Sequence, residues 1–471
     1  MKSFCLFVFS VGLFFLSCRF EVDNSNKSGT SQTVETYGGT VKKESEYFKD
    51  GKKSSDWLII SYMAADNSLD SYVFQDLNEI EAGLSRIRNS DGSPKDGCDS
   101  VRCVALWDGH FDHSATHVYD VGNDEKKNSL GDRTIDILEI PFLKNSNYEL
   151  DMSNYRTLEK FLLWVREHYT ATHVVFQLET HGGGPGSDSM YLGNLTRAVC
   201  TDETDAKEKN MSTREFVQAF KNAGYGSSEK IDMLFLDVCF GAGFEDIYEY
   251  RNIAKYLVAS PETTPGTGND YEAILKTFEG RKKSIDPLEY GKEISRIFAQ
   301  TYYNYSISSC KYPTISFIDL SKAEQCADII DSMAAQIMAS STPDVYRYYF
   351  SNVWYYSGTY NYLYDAGKFA DKVIEKSDDG ETKALASNVL SALDDMIIWS
   401  WRRKNDEEDI LINNAYVDGF HTAESSPYGV TLCGRSSSVL SVAIQPWYRT
   451  ELEFGRRDGG WADMIMKCFS K

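Results

Sequence analysis

Short apolar runs alternate along the chain with segments of helical period. W-L-I-I-S-Y-M-A-A (57–65) is continuously apolar and bounded by polar residues, which predicts a strand buried on both faces. Asp66-Asn67-Ser68 follows as a capping segment for a helix that carries Leu77, Ile80 and Leu84. V-R-C-V-A-L-W (101–107), the run at 172–178, I-D-M-L-F-L-D-V-C (231–239) and Y-L-V-A-S (256–260) predict further strands. Helices are predicted over 158–169, with Leu158, Phe161, Leu162 and Val165 on one face, over 212–223, and from about Phe244 after Gly241 and Gly243. Strands alternating with helices predict an α/β fold, a mainly parallel sheet covered on both faces, over residues 56–305. Beyond it the pattern changes. Helical stretches at 323–338 and 384–401 flank the aromatic segment Y-R-Y-Y-F-S-N-V-W-Y-Y (346–356), read as core rather than as a sugar or peptide platform, and 428–454 alternates like strands. Residues 306–471 are therefore expected to form a smaller C-terminal α+β region.

The N-terminus departs from this pattern. Met1-Lys2 is a short basic start, and the apolar run from Phe4 to Leu16 is shorter than the about 20 residues a spanning helix needs, so it suits an export signal. The run closes on F-L-S-C, where Cys18 follows small Ser17. That resembles a bacterial lipobox, with Phe15 where Leu is usual, and makes Cys18 the expected lipidation site after a signal covering 1–18. A plain signal peptide is the alternative. Residues 19–55, rich in Ser, Thr, Asn, Gly and Lys, read as a flexible tether. The expected location is the cell envelope, lipid-anchored, or the exterior.

Charge narrows the partners. Lys and Arg total 49 against 70 Asp and Glu, a net charge of -21, which disfavours nucleic acid and favours cationic substrates. Outside the export segment eight cysteines remain, none in a C-x-x-C pair, so no structural zinc site is expected. Cys98 and Cys103 could close a small disulfide loop. His110, His113 and His117 lack the H-E-x-x-H frame and read as loop and strand histidines rather than metal ligands.

Two strands end in reactive side chains. One leads to His181, followed by three glycines (T-H-G-G-G, 180–184), and the other to Cys239. In open parallel sheets, ligands bind beyond the carboxyl ends of the strands. An imidazole there can activate a thiol and shuttle its proton, and glycine at 182 lets backbone N–H groups approach a scissile carbonyl. The plainer reading of Cys239 is an inert core thiol. Asp237, two residues before Cys239, points to the same side of its strand. It suits a substrate Arg or Lys, or else is a structural carboxylate held by nearby N–H groups.

These residues resemble the clostripain-like cysteine peptidases. The matches, in family order over about 55–275, are W-L-I-I-S-Y-M-A-A-D-N-S-L with D-L-N-E-I-E-A-G, then H-G-G-G, T-R-A-V-C-T-D-E-T, F-L-D-V-C-F-G-A and V-A-S-P-E-T-T-P-G-T-G. The resemblance implies a caspase-like α/β/α sandwich and a His181–Cys239 dyad; the backbone N–H groups at Gly182 and Cys239 are the expected oxyanion hole. It also implies cleavage after basic residues, with Asp237 at the base of the pocket. Some relatives carry a second acidic residue where this chain has Thr267, and Asp270 is the candidate replacement. Self-cleavage between the two strands is implied too, at Arg197 or at Lys207 or Lys209. No cofactor is required. Calcium, on which some relatives depend, has oxygen ligands on offer in the acidic stretch 202–205. The rival readings are a peptidase of this fold with non-basic specificity and a surface binding lipoprotein on a peptidase scaffold.

Overall fold

Alternation along residues 57–64 decides the architecture. Trp57, Ile59 and Met63 enter one hydrophobic core, while Leu58, Ile60, Tyr62 and Ala64 enter another. A strand that is apolar on both sides must lie inside a sheet with helices on each face. The computed structural model describes residues 37–110, 115–125, 129–185, 199–203, 209–280, 284–303, 310, 313–351, 353, 363–402, 427–434 and 446–468.

The strands are β1 (Gly38–Lys43), β2 (Lys53–Ala64), β3 (Val101–Asp108), β4 (His117–Asp120), β5 (Leu130–Leu138), β6 (Tyr169–Glu179), β7 (Cys200–Asp202), β8 (Lys209–Met211), β9 (Ile231–Asp237), β10 (Ala254–Ala259), β11 (Thr314–Asp319), β12 (Leu363–Asp365), β13 (Ile397–Arg402) and β14 (Thr431–Cys433). Ten of them form one sheet in the order β1-β5-β4-β3-β2-β6-β9-β10-β11-β13. Its centre, from β3 to β10, is parallel, and antiparallel pairs lie toward both edges.

One core sits beneath the helices Tyr155–His168, Thr213–Asn222, Phe244–Tyr250 and Ala323–Ser340. The other sits beneath Asp70–Ile87, Tyr271–Lys276 and Pro287–Tyr303. The result is the expected α/β/α sandwich. Local chemistry explains several ends. Ser212 and Glu215 form a capping box, so the helix begins at Thr213. The order in which successive strands are added reverses at β2, whose two parallel neighbours are β3 and β6. That switch is where a parallel sheet opens a crevice.

Four expectations about extent change. No sheet boundary falls near residue 305, because β11 and β13 continue the same sheet, and residues 35–471 form one unit. The stretch expected as tether is ordered from Gly38, where β1 pairs in parallel with β5, and β2 begins at Lys53. The helix expected over 384–401 ends at Met396. Ile397, Trp399 and Trp401, β-branched and aromatic, go into β13 against β11. Within the region expected to be strand-like, Thr431–Cys433 is a strand and Pro446–Glu451 is a helix, begun by a proline that suits the first turn. Cys98 and Cys103 are both free thiols. Cys103 is spent in the core under β3, so the expected loop disulfide does not form.

Candidate active site

Strand register brings the two reactive side chains together. β6 and β9 are adjacent and parallel, with Glu179 opposite Asp237. His181 and Cys239 each follow two residues later, at neighbouring strand ends. The loops touch. A Cβ added at Gly182 would sit 2.5 Å from the Cys239 carbonyl oxygen and 2.8 Å from Val238 Cβ, so no larger residue fits there without a shift. Gly184, at φ +72°, lies against Phe240, and a Cβ there would come 3.2 Å from Phe240 Cβ. The glycines after His181 therefore serve close approach to the Cys239 loop.

Cys239 is half-buried. Its Sγ accepts from Thr264 N–H at 3.3 Å. Burial pushes the thiol up to about 11, opposed by the Thr264 N–H and reinforced by Cys310, Asp237 and Glu262. In this resting arrangement the sulfur is a thiol at neutral pH, and a neighbouring base must take its proton for it to attack. Phe240, the next residue, holds a left-handed φ of 59°, an uncommon conformation for a residue with a bulky side chain, and its N–H is tied to Glu262 O at 2.9 Å. Backbone strain of this kind gathers at functional sites.

The imidazole has a partner that sequence reasoning missed. Ser68 Oγ lies 2.9 Å from His181 Nε2. Ser68 belongs to the turn after β2, across the topological switch from β6. Asn67 shapes that turn, donating to Ala64 O and accepting from Leu69 N, both at 2.9 Å. The helix itself starts only at Asp70, so the polar triplet expected as a cap is a turn that reaches the histidine.

Beneath the strand ends lies a set of buried carboxyls. Asp237 Oδ2 accepts from Asn269 N–H (2.9 Å), from the Asn269 side-chain amide (2.7 Å) and from Tyr271 O–H (2.9 Å). Asp237 is 9% exposed, and burial raises its proton affinity despite these donors. Asp76, from the helix Asp70–Ile87, approaches the same place. A Cβ on Gly268 would meet Asp237 Oδ2 at 2.8 Å and Asp76 Oδ2 at 3.4 Å. Glu179 completes the set. Its Oε1 accepts from Ser61 Oγ at 3.4 Å and from Gln177. Asp76 and Glu179 are within hydrogen-bonding reach of each other. Burial first, then repulsion among the three acids, holds both well above the carboxylate range, so the pair retains a proton. Among the described residues no Lys or Arg makes an ion pair with any of the three.

The other pocket candidates lie as follows. Thr267 is exposed, with Oγ1 2.9 Å from Tyr302 Oη. Asp270 caps the helix Tyr271–Lys276, accepting from Ala273 N–H at 2.9 Å. Its carboxylate is thus committed to a helix end, and Asp76 is the acid that joins Asp237. An acid on an otherwise amphipathic helix reads in sequence as a solvated position, which hid Asp76. Arg197, Lys207 and Cys18 lie outside the described residues, as do His113 and Asp205. The backbone of Lys209 starts β8. His117 is buried in β4 with Nδ1 3.0 Å from Asp136 Oδ2, a structural placement. Two open surface hollows, one beside Arg214 and Glu451 and one beside Tyr348 and Asp379, are lined by other parts of the chain.

Known proteins share this fold and sequence pattern. A sequence model of the clostripain family, Peptidase_C11, matches residues 61–419. Clostripain from Hathewaya histolytica is 26% identical over 393 residues, covering 74% of this chain and 72% of its own length. Two solved structures share the fold, each with a TM-score of 0.58 at 17% identity, covering 85% of this chain and 97% of their own. One is a secreted C11 cysteine protease from Bacteroides thetaiotaomicron in complex with an irreversible peptide inhibitor, and the other is an inactive zymogen C11 protease from Parabacteroides distasonis. With its strand ends, glycine loop and family match in agreement, this chain belongs to the clostripain family and is a cysteine peptidase.

Proposed function

We propose that the chain is an exported endopeptidase that cuts after Arg, and also Lys, using Cys239 as nucleophile and His181 as its acid–base partner. The observation that carries this is the β6–β9 register, which sets the two residues at adjacent strand ends with Gly182 pressed against the Cys239 backbone. Cys239 Sγ gives its proton to His181 and forms a bond to the scissile carbonyl carbon. Backbone N–H groups at Gly182 and Cys239 receive the oxyanion. The intermediate collapses, the C–N bond breaks, and His181 returns the proton to the leaving amine. Water, deprotonated by His181, then hydrolyses the thioester and restores the thiol.

Specificity for a cation rests on Asp237 and Asp76. A guanidinium entering beside Gly268 would meet acids that have no basic partner among the described residues, and its charge would favour their ionised forms. One observation favours the rival of non-basic specificity: Asp237 Oδ2 already has three donors from Asn269 and Tyr271. We further propose an anchor through Cys18 and self-cleavage at Arg197, both carried by sequence alone. No helix among the described residues is long and apolar enough to cross a membrane.

The test is turnover of fluorogenic peptides ending in Arg, Lys, Asn, Asp or Leu by the full chain and by Cys239→Ala and His181→Ala. Cleavage after Arg or Lys that falls by at least about 10³-fold in both variants, with unchanged circular dichroism, is the expected result. Cleavage only after another residue would keep the dyad and discard the cationic pocket. Undiminished turnover in Cys239→Ala would remove the assignment.

A further inference from the structure

The three acids beneath the strand ends differ in what holds them. Strand alternation puts Glu179 and Asp237 on the face of the sheet that also carries Val175, Met233 and Phe235, the face covered by the helices Asp70–Ile87 and Tyr271–Lys276. Asp76 approaches them from the first of these helices. Asp237 Oδ2 has three donors, which favour its charged form. Glu179 is less well supplied. It is 2% exposed, its Oε1 takes the Ser61 hydroxyl and the Gln177 amide, and its Oε2 meets no N–H or O–H donor among the described residues. What Glu179 does reach is Asp76, itself 5% exposed. Ionised carboxylates are acceptors only, so a contact between two of them closes only when one carries a proton.

The titratable groups that face this pair come from every element around it: Glu79 on the same helix, Cys103 of β3, Asp237 of β9, Tyr271 at the start of its helix and Tyr302 near the end of the helix Pro287–Tyr303. All five are acids, and Glu79 Oε2 accepts from Tyr271 N–H at 3.2 Å. None of them can offset a second charge on the pair. Gly268 keeps the approach open. At φ +57° it lies over the acids, and the Cβ it lacks would crowd both Asp237 and Asp76. A cation that enters beside Gly268 therefore meets Asp237 and Asp76 directly, and Glu179 through Asp76.

We propose that Glu179 is a specificity residue of the pocket. It shares one proton with Asp76 while the pocket is empty or holds an uncharged side chain, and the entry of a guanidinium or ammonium drives that proton out to solvent. A basic side chain thus meets one more negative charge than an uncharged one does. The inference rests on the cationic pocket proposed above and adds to it a third acid and a proton that moves. Before entry, the shared proton spares the fold a further buried carboxylate. After entry, the positive charge favours the ionised form of both acids.

The sign of the pH dependence follows. The free pocket binds its proton more tightly than the occupied one. Between those two proton affinities a proton leaves on binding, so affinity for a basic side chain rises with pH, by up to about tenfold per unit. The rise levels off once the free pair has lost its proton. An uncharged occupant leaves the proton in place and has no such slope. Preference for basic over uncharged side chains should therefore widen as pH rises.

The test uses the full chain carrying Cys239→Ala, so that peptides bind without being cut. Acetyl-Ala-Arg-Ala amide, and the same peptide with citrulline, which keeps the shape of arginine without its charge, are titrated in by calorimetry at about pH 7. Running each titration in phosphate and in Tris, whose ionisation heats differ, counts the protons released. About one proton per Arg peptide is expected, and none with citrulline. In Glu179→Gln, Asp76 keeps its charge with no second carboxylate competing. That variant should bind the Arg peptide within about twofold of the parent near pH 6 and at least about fivefold more weakly near pH 8.5, without proton release. A merely structural Glu179 would weaken binding equally at both. If the variant does not fold, the infrared band of a protonated carboxyl decides: it should be present in the parent at about pH 7 and bleach when the Arg peptide binds. Arg-peptide binding without proton release, an unbleached band, or the parent's pH slope retained in the variant would overturn the proposal and leave the cationic pocket standing. No Arg-peptide binding at any pH would discard the pocket and the proposal together.

Discussion

Two acidic clusters of this strongly acidic chain are built in opposite ways. On the surface of the helix Ala323–Ser340, Glu324, Asp328 and Asp331 all pair with Arg457, and Glu324 pairs also with Arg251. Near the catalytic strand ends, Asp76, Glu179 and Asp237 are buried together with no Lys or Arg among the described residues to neutralise them. The first cluster ties the C-terminal segment to the body of the fold. The second costs stability, because desolvated like charges raise one another's proton affinity. A fold keeps such an arrangement where a ligand supplies the missing charge. The contrast thus separates acids that hold the structure from acids that, on the proposed reading, receive a cationic substrate.

The largest effect should come from Asp237→Asn. Asn keeps an acceptor for Asn269 and Tyr271 but loses the charge, so kcat/KM for Arg peptides should fall by about 10²-fold while Tm moves little. Equal loss of Tm and activity would make Asp237 a structural acid like those around Arg457.

Arg457→Gln should do the reverse. It leaves three carboxylates without their shared partner, and Arg457 is only partly buried while Asp328 is well exposed, so a loss of about 1–2 kcal/mol is expected, below the value for a fully buried pair. Chemical denaturation would show that loss shrinking in high salt, with kcat/KM unchanged. An activity defect without a stability defect would break the distinction.

Glu179→Gln sharpens the comparison through pH. The folded protein holds the Glu179 proton more tightly than the unfolded chain, whose Glu titrates near 4.3. Between that value and the raised native one the folded state binds more protons, so this group's contribution falls as pH rises. The variant should match wild type near pH 4 and be more stable by about 1 kcal/mol at pH 8, read by urea unfolding across that range. Parallel curves for the two proteins would show that the buried acids do not titrate as described.

The smallest effect is expected from Ser68→Ala. Loss of its contact with His181 should lower kcat a few-fold and displace the pH–rate profile, with KM and Tm nearly unchanged. A change in Tm alone would make Ser68 merely a part of its turn.

Much of this was open to reading in one dimension. Apolar runs of strand length between helical segments announce a covered parallel sheet, because a strand buried on both faces has little room for polar residues. His181 and Cys239 stood out because reactive side chains directly after such runs fall at the ligand-binding edge. Glycine at 182 signalled close approach, and Gly182 does meet the Cys239 backbone. What linear pattern left open depends on contacts between distant segments. That β11 and β13 complete the main sheet, that Asp270 caps a helix while Asp76 reaches Asp237, and that Ser68 touches His181 are facts of register and packing. A carboxylate on a helix has the same local signature whether it faces water or a buried cleft. Hydrophobic period sets which elements form, being local to each segment, but the partner of a polar side chain is chosen by where the whole chain brings its other segments.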